Sequence, residues 1–297
     1  MGRMFDQCNS LKYLDISNFY TPLVNDIINM FYNCYSLTSL DISNFNTAKI
    51  RNMKTLFCNC NNLTTLNISS FDTSSVVTMN AMFQDCKKLS YLDLSKFDTS
   101  KVTDMSYLFA QCNKLTSLDL RNFETKSVKL MNNLFDNCRS LTSLDLSNFD
   151  TSNVNTTNRM FDQCHSLTSL DLTSWNTSLL VDIYNMFYNC ENLQFLDVSN
   201  FNTKKISNMG NAFIYCKKLI FLNLSSFDIY DYTIVGDILD ERDDRLILCY
   251  NESKMPNHFL EEVKRYENSC LKVCLMNSKK YILEIEMCVN NCYEETN

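Results

Sequence analysis

The sequence predicts an α/β solenoid, with a parallel sheet on one face, short helices on the other, and a small Cys-rich module at the C-terminal end. Three observations predict it. The pair F-x-x-C recurs nine times, from Phe5/Cys8 to Phe213/Cys216, always 26 residues apart. A fixed period of this size marks stacked units, none of which can bury its apolar face alone. Within each unit a stretch of alternating apolar residues is followed by a stretch with apolar spacings of 3, 3, 1 and 3. After Phe227 the motif fades and cysteines cluster. Residues 1–228 are therefore assigned to a nine-copy solenoid and 229–297 to a second module, cut short at Asn297.

The elements follow in order along one copy. Leu92 and Leu94 alternate with Tyr91, Asp93 and Ser95, the period of a half-buried strand. Val102, Met105, Leu108, Phe109 and Cys112 trace one face of a helix. Between them stands a Thr that recurs at Thr21, Thr47, Thr73, Thr99, Thr125, Thr151, Thr177 and Thr203. A hydroxyl just before an apolar helical run predicts an N-cap that accepts an orphan amide. The chain has three Gly and two Pro, so its turns must use Asn, Asp, Ser and Thr, which bond to their own backbone. Pairing the strands about 4.8 Å apart gives one parallel sheet on the order of 40 Å across nine copies. The nine ladder cysteines close the apolar run and are expected in the core. A disulfide ladder is disfavoured because stacked Cβ atoms sit about 4.8 Å apart, beyond the usual bridge distance. Cys58 lies outside the ladder and is expected at the surface.

Composition narrows the function. The 297 residues are 45% apolar with a net charge of −7, which disfavours nucleic acid and anionic membrane. No run of 18 apolar residues exists to span a bilayer. The N-terminus MGRMFDQCNS has no signal-peptide core and enters in mid-repeat, so the chain is read as a fragment. The two histidines, His165 and His258, form no catalytic pattern. Cys164 next to His165 is a packed cysteine rather than a dyad, since sequence neighbours rarely reach that geometry. No phosphate loop or metalloprotease motif appears. The expectation is a non-enzyme without cofactor or resident metal.

The segment Leu115-T-S-Leu118-Asp119-Leu120-R-N-Phe123 fits the leucine-rich-repeat pattern, with Phe or Trp where Asn is common. The unit Met105-S-Y-Leu108-Phe109-A-Q-Cys112-N-K-Leu115-T-S-Leu118-Asp119-Leu120 resembles the 26-residue repeat of the BspA-like leucine-rich-repeat surface proteins. The match covers roughly residues 1–228. The resemblance implies an arc-shaped solenoid displayed on a microbial cell. It also implies adhesion to, or contact with, a protein or glycan on a host or neighbouring cell. The family carries no shared catalytic residues. An adhesive surface protein is the expected function; a structural spacer and an intracellular scaffold remain as alternatives.

Three outward columns are candidates for contact. The first runs Tyr13, Ser39, Thr65, Tyr91, Ser117, Ser143, Ser169, Phe195, Phe221; the second holds Asp at seven of nine positions; the third is mostly Ser, with Arg121 interrupting it. The proposed contact residues are Tyr91, Asp93, Asp119, Arg121, Phe195, Asp197 and Phe221. Carboxylates about 4.8 Å apart repel, and either Ca²⁺ or hydrogen bonds from flanking Ser and backbone must offset that. Single oxygens in a row suit a Ca²⁺ cage poorly. Phe195 and Phe221 are either exposed anchors or covered by the C-terminal segment. Tyr13 and Tyr91 read as isolated surface residues.

The second module holds Cys249, Cys270, Cys274, Cys288 and Cys292. The C-x3-C pairs suit zinc weakly. Cys270, Cys274, Cys288 and Cys292 are the disulfide candidates, either in a helical hairpin or in an extracellular disulfide-rich module. Five cysteines leave one odd. The sequons at Asn62, Asn67, Asn155, Asn176, Asn223 and Asn251 matter only on a eukaryotic secretory route.

Overall fold

The computed structural model describes residues 1–230, 234, 239, 246–257 and 259–260. Each copy is one turn of a coil, and consecutive turns stack in parallel. The strand stretch forms β1 (Ser39–Asp41), β2 (Thr65–Asn67), β3 (Phe195–Asp197), β4 (Phe221–Asn223) and β5 (Ile247–Cys249). The β1–β2 pair and the β3–β4–β5 sheet are both parallel, and the register is one copy throughout: Ser39 faces Thr65, Phe195 faces Phe221. The predicted single sheet is thus two short sheets, with the middle copies in line but less regularly bonded.

The predicted helices are absent. No α-helix occurs in residues 1–230, and the stretch read as helix carries a second parallel ladder instead. Bridges run from Asn52 to Thr78, Asp104, Leu130, Thr156, Asp182, Asn208 and Ile234. The amides of Met53, Thr55, Phe57 and Asn59 donate to the carbonyls of Thr78, Asn80, Met82 and Gln84 at 2.9–3.0 Å. The intervening amides close local turns three residues back: Leu56 to Met53, Cys58 to Thr55, Cys60 to Phe57. Alternate residues therefore bond outward to the next copy and inward to a turn. With the Lys54 amide donating to Asn52 Oδ1 (2.8 Å), this accounts for each backbone donor from Met53 to Cys60 without an i→i−4 bond.

The turns need left-handed backbone at two positions four residues apart, such as Thr55 (φ 52°) and Asn59 (φ 64°). Among the described residues, eighteen non-glycine residues take this conformation, and eight of them are Asn, the side-chain-bearing residue that tolerates it best. No α-helix accommodates such a residue every fourth position. The apolar spacing that suggested a helix belongs to inward-pointing residues joined by three-residue turns.

The core is a set of like-over-like stacks. Phe5, Phe31, Phe57, Phe83, Phe109, Phe135, Phe161, Phe187 and Phe213 stack at 5.5–5.9 Å between ring centroids, with planes 3–11° apart. A second stack includes Trp175, Phe201 and Phe227. The cysteine ladder is buried and free from Cys34 onward, as expected for packing. It adds a bond that the sequence did not suggest. Each thiol donates to the carbonyl of the ladder Phe one copy back, as Cys60 does to Phe31 (3.2 Å) and Cys112 to Phe83 (3.2 Å). Burial raises these thiols far above their ordinary range, to about 12 at Cys34 and Cys216. Cys58 is buried too, at 4% exposure, because its position follows the ladder Phe on the bonded face; the surface expectation is corrected.

The recurring Thr is not a helix cap. Thr99 is fully buried; its Oγ1 accepts the amide of Glu124 (2.8 Å) and donates to the carbonyl of Glu124 (2.9 Å). Thr47 and Thr73 hold Asp72 and Asp98 in the same way. The hydroxyl thus clips one copy to the next. A second clip is the Asn before the outer aromatic: Asn148 Nδ2 donates to the carbonyls of Leu120 and Phe123, and Asn122 to Leu94 and Phe97.

The register outlives the motif. β5 pairs with β4, with Phe221 opposite Ile247, and Ile234 bridges Asn208, so a tenth rung lies past Phe227. Beyond it the described chain has one 3-10 turn, Glu252–Lys254, capped by the Asn251 side chain. Cys249 is disulfide-bonded. Cys270, Cys274, Cys288 and Cys292 lie outside the described residues.

One buried acid breaks the pattern of this face. Asp162 is 2% exposed, and its Oδ1 has no partner. Burial first, and then the charge of Asp136 one copy back, push its carboxyl up to about 7 against the pull of Arg159 at 3.9 Å. The folded chain therefore binds a proton that the unfolded chain releases near pH 4. Stability from this group is present at about pH 4 and is lost as pH rises through about 7. Asp162→Asn should match the parent at about pH 4 and exceed it at pH 8 by on the order of 3 kcal/mol. Urea unfolding at both pH values checks this; an equal difference at both would exclude the carboxyl as its source.

Candidate functional site

The strand face presents the three predicted columns outward as far as Thr173; the later positions are half-buried, and Phe221 and Asn223 are buried. The second column is held by local turns. The Oδ1 atoms of Asp15, Asp41, Asp93, Asp145 and Asp171 accept the amide of the Ser or Thr two residues on, at 2.9–3.1 Å. Their carboxyls sit below the usual range. At Asp15 and Asp93 the backbone amide is the main cause; at Asp41, Asp145 and Asp171 it is the side-chain hydroxyl. Backbone and hydroxyl donors thus supply what offsets repulsion along the column, the second of the two answers considered above. Asp197 makes the same turn with Ser199. Asp119 makes the same turn with the Arg121 amide (3.2 Å) and adds a side-chain pair. Its two oxygens take Nε and Nη2 of Arg121 at 2.9 and 2.7 Å, which lowers the carboxyl to about 2. Both partners are exposed, and such a pair adds little stability. It leaves Arg121 as a charged knob on a face otherwise lined by hydroxyls and acids.

The first column divides in two. At the C-terminal end Phe221 is 4% exposed and packs with Cys249, while Phe195 and Ile247 are half-buried beside it. Phe221 is thus packed rather than presented, because β5 extends the sheet past it. At the N-terminal end Tyr13 and Tyr91 are 74% and 71% exposed. They stand three copies apart with only Ser39 and Thr65 between them in the column. The gap is filled by two adjoining depressions of about 390 and 430 Å³ that share Ser39 and Asp41; Tyr13 borders one and Tyr91 the other. Tyr13 and Tyr91 thus border one continuous trough without touching each other. The signal was legible in the column itself, as two large rings bracketing two small side chains.

Within this trough, Asp41 Oδ2 accepts Nδ2 of Asn67 at 3.1 Å, and Asn67 Oδ1 accepts the Ser69 amide. Asn67 thereby replaces one carboxylate of the column with an amide that ties two copies together. At the opposite face Cys164, the sequence neighbour of His165, donates to the Phe135 carbonyl, while the His165 ring bonds Asn189. The two side chains do not form a pair.

Three comparisons bear on identity. A leucine-rich repeat protein from Bacteroides ovatus is similar in structure, with 16% sequence identity over 84% of this chain and 80% of its own; the TM-score of 0.28 is too low for it to inform the fold, which rests on the ladders above. No curated protein matches the chain. A family described as "Mycoplasma protein of unknown function, DUF285" matches over residues 1–115, 27–141 and 85–195. The second match begins 26 residues after the first (27 − 1), one copy further along, so the family pattern is itself built from this repeat. Together the matches span residues 1–195, about two thirds of the 297, and the chain belongs to that family.

Proposed function

We propose that this chain is the binding portion of a microbial, BspA-like surface protein that mediates adhesion through its strand face. The observation that carries the reading is the division of labour between faces. The second ladder is consumed by bonding between copies, whereas on the strand face Tyr13, Ser39, Thr65 and Tyr91 point outward. Such an array of side chains at fixed spacing is a contact surface. The disulfide at Cys249 supports an oxidising, extracellular setting. The second reading, a spacer, is favoured by the Asp columns, since each carboxylate there closes a turn of its own copy.

Beads coated with the chain and applied to epithelial monolayers test the two readings. Charge reversal on the strand face, Asp93→Lys with Arg121→Glu, should reduce attachment severalfold, with only a small fall in melting temperature from the lost Asp93 turn and Arg121–Asp119 pair. Arg51→Glu with Lys54→Glu, exposed on the other ladder, should not. No attachment by the parent, or equal loss from both faces, would leave the spacer.

A further inference from the structure

The trough between Tyr13 and Tyr91 has a chemistry more specific than adhesion in general. It belongs to the strand face, so its assignment rests on the reading above. We infer that it is a subsite for a neutral glycan chain lying along the stack.

The wall groups are unspent. Among the described residues, no hydrogen bond engages the hydroxyls of Ser39 and Thr65 or the phenols of Tyr13 and Tyr91, and all four residues are exposed. Asp41 and Asn67 are oriented by their turns and by each other, so their remaining lone pairs and amide hydrogen point from fixed positions. Half-buried Leu14 and Leu66 lie in the floor. The trough thus alternates small apolar patches with rigid donors and acceptors, and closes each end with an aromatic ring about 14 Å from the other, three rungs of about 4.8 Å.

Other ligand classes fit less well. An anionic ligand, nucleic acid or acidic sugar included, meets Asp15 and Asp41 in the lining, both held ionised by the turns that lower their carboxyls. A peptide strand adds to a free sheet edge, whereas this is the face of a stack whose backbone groups bond along its axis. A protein hot spot needs a dry apolar centre, and here the centre is hydroxyl and carboxylate. A sugar ring presents an apolar C–H face rimmed by hydroxyls. The first stacks on a tyrosine; the second pairs with Ser, Asp and Asn. The repeated spacing offers equivalent partners to successive rings, so an unbranched chain gains contacts with length.

Isothermal titration calorimetry on the whole chain, with neutral gluco- and N-acetylglucosamine oligosaccharides of increasing length, tests this. Affinity should rise with chain length up to the span of the trough. Tyr13→Ala and Tyr91→Ala should each weaken it about tenfold, a loss of roughly 1.4 kcal/mol within the range for aromatic contacts, and the double variant should abolish it. Both side chains are exposed, so melting temperature should not move. Tyr20→Ala, 90% exposed and away from the trough, should bind like the parent. No heat with any neutral oligosaccharide, a preference for sialylated ones, or binding indifferent to both tyrosines would overturn the assignment. Bead attachment that remains sensitive to Asp93→Lys with Arg121→Glu while neutral oligosaccharides fail would overturn the glycan alone and leave adhesion standing.

Discussion

Phe109→Ala should lower unfolding stability by about 3–5 kcal/mol, the range for a fully buried aromatic. Phe109 is 1% exposed and stacks on Phe83 at 5.9 Å and Phe135 at 5.8 Å, with planes 3° and 7° apart. Removing the ring leaves a gap that neither neighbour can close. The Phe83 amide is tied to Leu108 and the Phe109 amide to Leu134, so the copies cannot slide together. The loss then includes both the buried area and two stacking contacts. Urea unfolding measures it, and Phe109→Leu should restore part of it. A fall below about 1 kcal/mol would mean that the ladder collapses around the gap and that its packing is not rigid.

Thr99→Val should cost about 2–4 kcal/mol although it conserves shape. The substitution removes one acceptor and one donor and strands the Glu124 amide and carbonyl, each worth about 1–3 kcal/mol when buried without a partner. Thr99→Ser keeps the hydroxyl and should keep most of the stability. Amide exchange at Glu124 separates the clip from a packing effect. It should accelerate in the valine variant and stay slow in the serine variant. If the valine variant is as stable as the parent, the hydroxyl is not the clip between copies.

The period, the nine motif-bearing copies and most inward residues were legible, because like-over-like packing repeats the same apolar types every 26 residues; the motif-free tenth rung and the buried Cys58 were not. The sheet register followed from Leu40 over Leu66. The element type of the second face was not legible. Val102, Met105, Leu108 and Cys112 lie three or four apart whether they line one side of a helix or close successive three-residue turns, and periodicity cannot separate the two. The discriminating signal was polar. Asn29 and Asn33, Asn133 and Asn137, and Asn185 and Asn189 recur four apart, in pairs that suit left-handed backbone and weaken a helix. Thr99 shows the same limit. Its position before an apolar run fits a cap, but the amide that it accepts belongs to the next copy, 25 residues on.

At the site, the Asp column and its Ser partners could be read from D-x-S, a side chain bonding its own backbone. Tyr13 and Tyr91 looked isolated in the linear sequence because 78 residues separate them (91 − 13). The stack turns that separation into three rungs. Phe221 stayed open between anchor and covered residue, because its covering rung, β5, carries none of the motif that defines the other copies.

Among the described residues, no side-chain hydrogen bond between copies reaches further than the adjoining one, and the longest spans 29 residues. For the gene, this makes whole copies interchangeable. Unequal crossing-over between two copies would remove or add 26 codons in frame and rejoin every stack with its own kind. A single-codon insertion would put each stack out of line. Variation between strains should therefore accumulate as allele length, in steps of one rung, faster than as altered architecture. The length of the stack, and the distance between Tyr13 and Tyr91, become quantities that recombination can tune.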